Sequence, residues 1–67
     1  MESNAILLRP TEAGKHLGGI APETLDTWRS RGRGPKYVKI GGKVFYRISD
    51  LDAFIAANVV DPRTTLV

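Results

Sequence analysis

The chain has 67 residues, no cysteine and one histidine, with 42% hydrophobic and 25% charged residues and a formal net charge of +3. That composition describes one small folded domain and excludes a disulfide framework, a thiolate metal centre and a disordered tail. No apolar run approaches the ~20 residues that span a bilayer. The start, Met1-Glu2-Ser3-Asn4, lacks the pattern of a secretion leader, so a cytoplasmic protein with no membrane partner, no metal or other cofactor and no enzymatic activity is expected.

In chain order, Leu7 and Leu8 precede Arg9-Pro10-Thr11-Glu12. Proline suits the first helical turn, where its missing N–H costs nothing. A first helix is therefore predicted from Pro10 through Leu17, burying Ala13 and Leu17 four residues apart. Arg9 is a poor cap residue and Thr11 a good one placed late, which leaves the cap open. Gly14 within the helix either costs about 1 kcal/mol against alanine or permits a close helix crossing. Glu12 and His16 have the spacing of an exposed pair. Gly18-Gly19 ends the helix. A second helix opens at Pro22, with Glu23 complementing its dipole. Leu25 and Trp28 turn inward, which leaves Thr24, Thr27 and Arg31 off the buried stripe. Gly32 and Gly34-Pro35 stop it. Two helices joined by a short turn containing glycine form a helix-turn-helix.

From Tyr37 to Ile48 the period changes to two, and β-branched and aromatic residues dominate, as in a hairpin. A two-residue Gly41-Gly42 turn pairs Lys39 with Val44 and mixes polar with apolar residues on each face. A three-residue Gly41-Gly42-Lys43 loop pairs Ile40 with Val44 and Val38 with Tyr46. It gathers Val38, Ile40, Val44 and Tyr46 on one face, with Tyr37, Lys39, Phe45 and Arg47 on the other, and is the preferred register. Lys43 then stands at the tip and Phe45 is open to exposure. Ser49-Asp50-Leu51-Asp52 opens a third helix with Ser49 as cap and Asp52 as a capping-box acid. Leu51, Phe54 and Ile55 form its buried stripe, and Asn58 ends it. The predicted organisation is an N-terminal arm over residues 1–6, a domain over 7–57 and a C-terminal tail over 58–67.

Charge is segregated along this organisation. Arg29, Arg31, Arg33, Lys36, Lys39, Lys43 and Arg47 are seven of the ten basic residues, in a stretch without Asp or Glu. The flanks are acidic: residues 1–28 hold Arg9 and Lys15 against Glu2, Glu12, Glu23 and Asp26, and residues 48–67 hold Arg63 against Asp50, Asp52 and Asp61. Clustered positive charge raises the local potential and releases counterions from a polyanion. Three helices and a hairpin carrying that charge form a small α+β winged helix-turn-helix, in which one helix enters the major groove while the hairpin reaches phosphates or a minor groove. Trp28, Leu25, Tyr46 and Phe54 are assigned to the core. Only Tyr37 and Phe45 remain as stacking groups, too few for a single-strand platform. Gly41-Gly42-Lys43 lacks the spacing of a phosphate loop.

The chain resembles the small excisionase and AlpA-like proteins, whose winged helix is similar to the DNA-binding domain of MerR regulators. The resemblance rests on Glu12-Ala13-Gly14 with Leu17-Gly18-Gly19-Ile20, on Pro22-Glu23-Thr24-Leu25 with Trp28-Arg29, and on Arg31-Gly32 and Gly34-Pro35. It continues through Tyr37-Val38-Lys39-Ile40-Gly41-Gly42, Val44, Tyr46-Arg47 and Ser49-Asp50-Leu51-Asp52-Ala53-Phe54, spanning residues 7–57. Arg9 stands where the family has a Thr or Ser cap, and Ala21 where a Ser is common.

The resemblance implies sequence-selective binding of double-stranded DNA, with the second helix in the major groove and the hairpin as wing. Glu23, Thr24, Thr27 and Arg31 are then the groove-facing candidates, with Arg29 and Ser30 near the backbone. Threonine can touch a thymine methyl, arginine can pair bidentately with guanine, and Glu23 can accept from a cytosine amino group or simply complement the helix dipole. Arg33, Lys36, Lys39, Lys43 and Arg47 are the phosphate candidates. A single module buries only ~600–1,000 Å² on DNA, so tandem copies or a partner protein are needed. The family implies an architectural factor in a bacterial host cell that coats tandem sites, self-associates along them, bends the DNA and steers a phage integrase toward excision. Phe45 and Val59-Val60 are candidate neighbour contacts. The alternatives are an AlpA-like transcriptional regulator without an integrase and, more remotely, an RNA-binding or protein-interaction adaptor. The absence of an effector domain argues against a ligand-sensing regulator.

Overall fold

Two prolines set the helical half of the molecule. Pro10 and Pro22 each take the first position of a helix, α1 (Pro10–His16) and α2 (Pro22–Ser30), where a fixed φ is preorganised and no N–H is lost. In the computed structural model, which describes residues 7–62, these are preceded by β1 (Leu7–Leu8) and followed by β2 (Val38–Ile40), β3 (Lys43–Arg47) and α3 (Ile48–Ala57). The strands form one antiparallel sheet in the order β1-β3-β2. This is the architecture of a small α+β winged helix-turn-helix. The expected N-terminal arm and residues 63–67 of the expected tail lie outside the described residues.

Neither early helix uses a side-chain cap. Arg9 is the N-cap of α1 and Ala21 that of α2, both with extended backbone and no side-chain bond to the helix; Thr11 lies inside α1. Gly14 resolves the choice left by its position. Its carbonyl accepts the N–H groups of Gly19 at 2.9 Å and Ile20 at 3.0 Å. A Cβ on Gly14 would lie 1.9 Å from the Ile20 carbonyl oxygen. The backbone after the turn thus folds directly onto α1, and only glycine leaves room for it.

The core is Ala13, Leu25, Tyr46 and Leu51, with Leu8, Leu17, Ile20, Trp28 and Val44 packed around it. It draws one buried side chain from each of α1, α2, β3 and α3. Trp28 and Phe54 are half-buried, their rings 5.6 Å apart and tilted. Ile55, expected in the buried stripe of α3, is 41% exposed, because α3 presents only a narrow face to β3 and α1.

Three local expectations are corrected, and one strand is added that no expectation covered. The hairpin uses the two-residue turn: Val38 pairs with Phe45, Lys39 with Val44 and Ile40 with Lys43. Gly41 and Gly42 both have positive φ, 57° and 82°, the requirement of a type I′ turn whose twist matches the strands. The mixed faces this creates are tolerated because Lys39, Ile40 and Lys43 project beyond the helices and remain exposed. Lys43 accordingly begins β3 and is not the tip. Secondly, β1 pairs with the other edge of β3, Leu7 with Arg47 and Leu8 with Tyr46, a strand too short for any period to reveal. Thirdly, β3 runs straight into α3, so Arg47 and not Ser49 is the N-cap. Asp50 takes the Arg47 Nε–H at 2.6 Å, while Asp52 turns to His16 Nε2 at 2.7 Å and joins α3 to α1. Fourthly, His16 therefore does not pair with Glu12, which lies 3.8 Å from Lys15.

Candidate nucleic-acid interface

The outer side of α2 is built by exclusion: Leu25 is buried and Trp28 half-buried, so Glu23, Thr27 and Ser30 are left exposed, with Arg31 exposed at the C-cap. Thr24 is half-buried and contributes less of its surface. Nine residues make a helix of about 14 Å, commensurate with the ~12 Å width of the major groove. Thr27 Oγ1 donates to the Glu23 carbonyl at 3.0 Å and Ser30 Oγ to the Thr27 carbonyl at 3.0 Å. These hydroxyl protons are spent on the helix. What Thr27 offers outward is its methyl group and acceptor lone pairs, which suit a thymine methyl or a base amino group.

The cations divide into two sets. Arg31, Arg33, Lys36, Lys39 and Lys43 are exposed and have no ion-pair partner among the described residues. They are available to phosphates. Arg29 and Arg47 are engaged. Arg47 donates to Asp50, and that hydrogen bond, with the attraction of the carboxylate, raises its pKa. Arg29 Nη1 donates to Asp26 Oδ1 at 2.9 Å, and its guanidinium carbon sits 5.6 Å from the Tyr37 ring centroid. Hydrogen bonding to Tyr46, then to Asp26, raises its pKa against the opposing effect of burial.

Arg29, Arg33, Lys36 and Arg47 meet around one open groove of about 440 Å³, floored by Gly32, Gly34 and Pro35 and walled by Tyr37. Their backbones come from α2, the following loop and the end of β3, so the fold, not sequence proximity, brings Arg47 to the others. Lys39 and Lys43 stand apart on the wing. Because directly paired residues share a face, the observed register puts Lys39 with Val44 on the side of the sheet that carries Tyr46, and Lys43 with Ile40 on the other. The grouping of Lys39 with Phe45 and Arg47 is thereby replaced.

One basic residue outside the cluster belongs to the wing's support. Arg9 Nη1 donates to the Val44 carbonyl at 2.7 Å, and its guanidinium lies 5.2 Å from the Phe45 ring centroid. The departure at the α1 cap thus has a use: a side chain too long to cap its helix reaches across the sheet and covers Phe45. Nothing in the local pattern announces this, because the partners are thirty-five residues apart. The Arg29 pairing was detectable, since Asp26 precedes it by three on one helix. Among the described residues, no group of three or more His, Cys, Asp or Glu is placed to hold a metal ion, and no helix is long and apolar enough to cross a membrane.

A helix-turn-helix domain family matches residues 7–59, which takes in every element from β1 to the end of α3. That family includes excisionase and AlpA-like proteins. Neither a curated protein nor a solved structure matches the chain.

Proposed function

Because the chain belongs to the helix-turn-helix domain family, whose fold points to DNA as its partner, we propose that it binds double-stranded DNA sequence-selectively, with α2 in the major groove and the β2–β3 wing on the backbone. The observation that carries this reading is an α2 face free of large apolar side chains on a domain with five exposed cations that no carboxylate among the described residues neutralises. Glu23, Thr24, Thr27 and Arg31 read bases. Ser30, Arg33, Lys36, Lys39 and Lys43 hold phosphates, with Arg29 and Arg47 lining the groove between them.

The biological role we assign is that of an excisionase-type architectural factor in a bacterial cytoplasm, which occupies tandem sites, bends the DNA and directs an integrase toward excision. One module covers too little DNA to hold a site alone. Exposed apolar side chains suited to a neighbouring copy are present: Ile40 is 53% exposed, Val59 73% and Val60 72%. The test is a footprint over the attachment region flanking the gene, titrated with protein at two salt concentrations, together with an integrase product assay. Stepwise protection at regular spacing and a shift toward excision products support the role. A single isolated footprint with an unaltered product ratio replaces it with an AlpA-like promoter regulator.

A further inference from the structure

We propose that Arg29 is a positioning residue, not a phosphate contact, and that it sets the angle between α2 and the wing by joining Asp26 to the Tyr37–Tyr46 ring pair. The main packing partner of α2 is α1, whereas β3 packs on β2, β1, α1 and α3. The reading helix and the wing are therefore built on a common support without a broad interface of their own. Arg29 spans that gap. Asp26, one turn earlier on α2, fixes the direction of the guanidinium at 2.9 Å. The guanidinium carbon lies 5.6 Å from the ring centroid of Tyr37, the residue that leads into β2. The Tyr37 ring in turn lies 6.3 Å from that of Tyr46 in β3. Tyr46 is 1% exposed and belongs to the core, so the ring pair fixes Tyr37, and through it Arg29, to the buried part of β3.

A guanidinium held this way has little left for DNA. Its side chain is 24% exposed while that of Asp26 is 60% exposed, so a phosphate approaching Arg29 meets the carboxylate as well. Lysine cannot replace it: an ammonium keeps the charge but lacks the planar face and the fork of donors that serve a carboxylate and a ring together.

The inference rests on the DNA-binding reading for its consequence, but its structural half is measured without DNA. The full chain and its Arg29→Lys, Arg29→Gln and Tyr37→Leu variants are compared by backbone amide NMR and by binding to one mixed-sequence duplex across a salt series. In the free protein, Arg29→Lys and Tyr37→Leu are expected to shift the amides of residues 37–39 and 44–46 together with those of α2, while the α1 amides stay in place. On DNA, all three variants lose about tenfold in affinity, and the salt slope of Arg29→Lys and Tyr37→Leu equals that of the parent. Should Arg29→Gln fail to fold, those two variants decide alone. Unmoved wing amides in Arg29→Lys overturn the proposal, as does wild-type affinity in Arg29→Lys beside a slope reduced by about 0.9 in Arg29→Gln, the signature of one lost phosphate contact. If the parent binds no duplex, the DNA-binding reading fails, and the amide shifts still decide whether Arg29 couples helix to wing.

Discussion

The helix-turn-helix and the wing are held by different physics. Around α1 and α2, Ala13, Leu25 and Leu51 are buried almost completely, and Gly14 lets the post-turn backbone close to atomic contact. The wing has no such interior. Only Val44 and Tyr46 of β3 join the core, and the outer hairpin is held by its own ladder and by guanidinium contacts from Arg9 and Arg29. Burial is non-directional and strong, so it sets the helices and resists substitution poorly. Directed polar contacts are individually weak, so the wing can be altered without unfolding the domain. The reading surface therefore stands on a rigid part and its phosphate grip on an adjustable one.

Substitutions test that contrast in order of size. Leu51→Ala leaves a cavity where helix and sheet share a core and is expected to cost about 3–4 kcal/mol in denaturant unfolding; a loss under about 1 kcal/mol would show that the two halves do not share one. Gly14→Ala should cost about 2–3 kcal/mol, because overpacking against the Ile20 carbonyl outweighs the roughly 1 kcal/mol gained in helix propensity. A stabilised variant would mean that the turn does not close on α1. Moving to the surface, Arg31→Ala should leave the melting temperature in place and lower discrimination between preferred and unrelated duplexes by about 1–3 kcal/mol, read from competition binding. Lys43→Ala should weaken binding to every duplex alike and reduce the salt slope by about 0.9. Identical profiles for these two variants would erase the division into a reading helix and a gripping wing. Smallest is Arg9→Gln, expected to cost about 1 kcal/mol or less and to increase hydrogen exchange at residues 43–46 only.

A pH scan sharpens the same contrast from its other side. Arg29 and Arg47 have pKa values raised above an already very basic starting point. A cation whose folded-state pKa is raised contributes stability that is complete below its unfolded pKa and lost only as pH rises through the folded one. For both groups that window lies in strong alkali. The contacts of Arg29 and Arg47 should therefore show no titration of these side chains across the neutral range, and any loss of wing order between pH 6 and 9 would trace to other groups.

Local pattern carried the helices because their causes are local. Pro10 and Pro22 in first turns, Leu25 with Trp28 at a spacing of three, and Asn58 after α3 each act within one turn of chain, and the bounds of α1, α2 and α3 follow from them to within a residue or two. The hairpin was located for the same reason, but its register was not. Uniform faces favour the three-residue loop, but only Val44 and Tyr46 of the hairpin join the core, so a uniform outer face carries no advantage over the turn geometry of Gly41-Gly42. The candidate site divides likewise. The exposure of Thr27 and Arg31 was readable from helical period, while Thr24, placed with them, is half-buried. The reach of Arg9 to Val44 and the joining of Arg29 to the hairpin were not readable, because both depend on residues distant in sequence, whereas Arg47 and Asp50 stand three apart, a spacing as legible as that of Arg29 and Asp26.

By itself, then, the sequence determined where charge accumulates, which segments are helical and which helix keeps an outer face free of large apolar side chains, since charge, period and helix ends are properties of neighbouring residues. Tertiary structure alone decided how the cations are arranged in space. Asp26 and Asp50, each three residues from its arginine, already single out Arg29 and Arg47, but folding sets Tyr37 beside Arg29 and gathers Arg29, Arg33, Lys36 and Arg47 around one groove. Long side chains select partners by proximity in space, and that proximity exists only once β3 has docked between the helices.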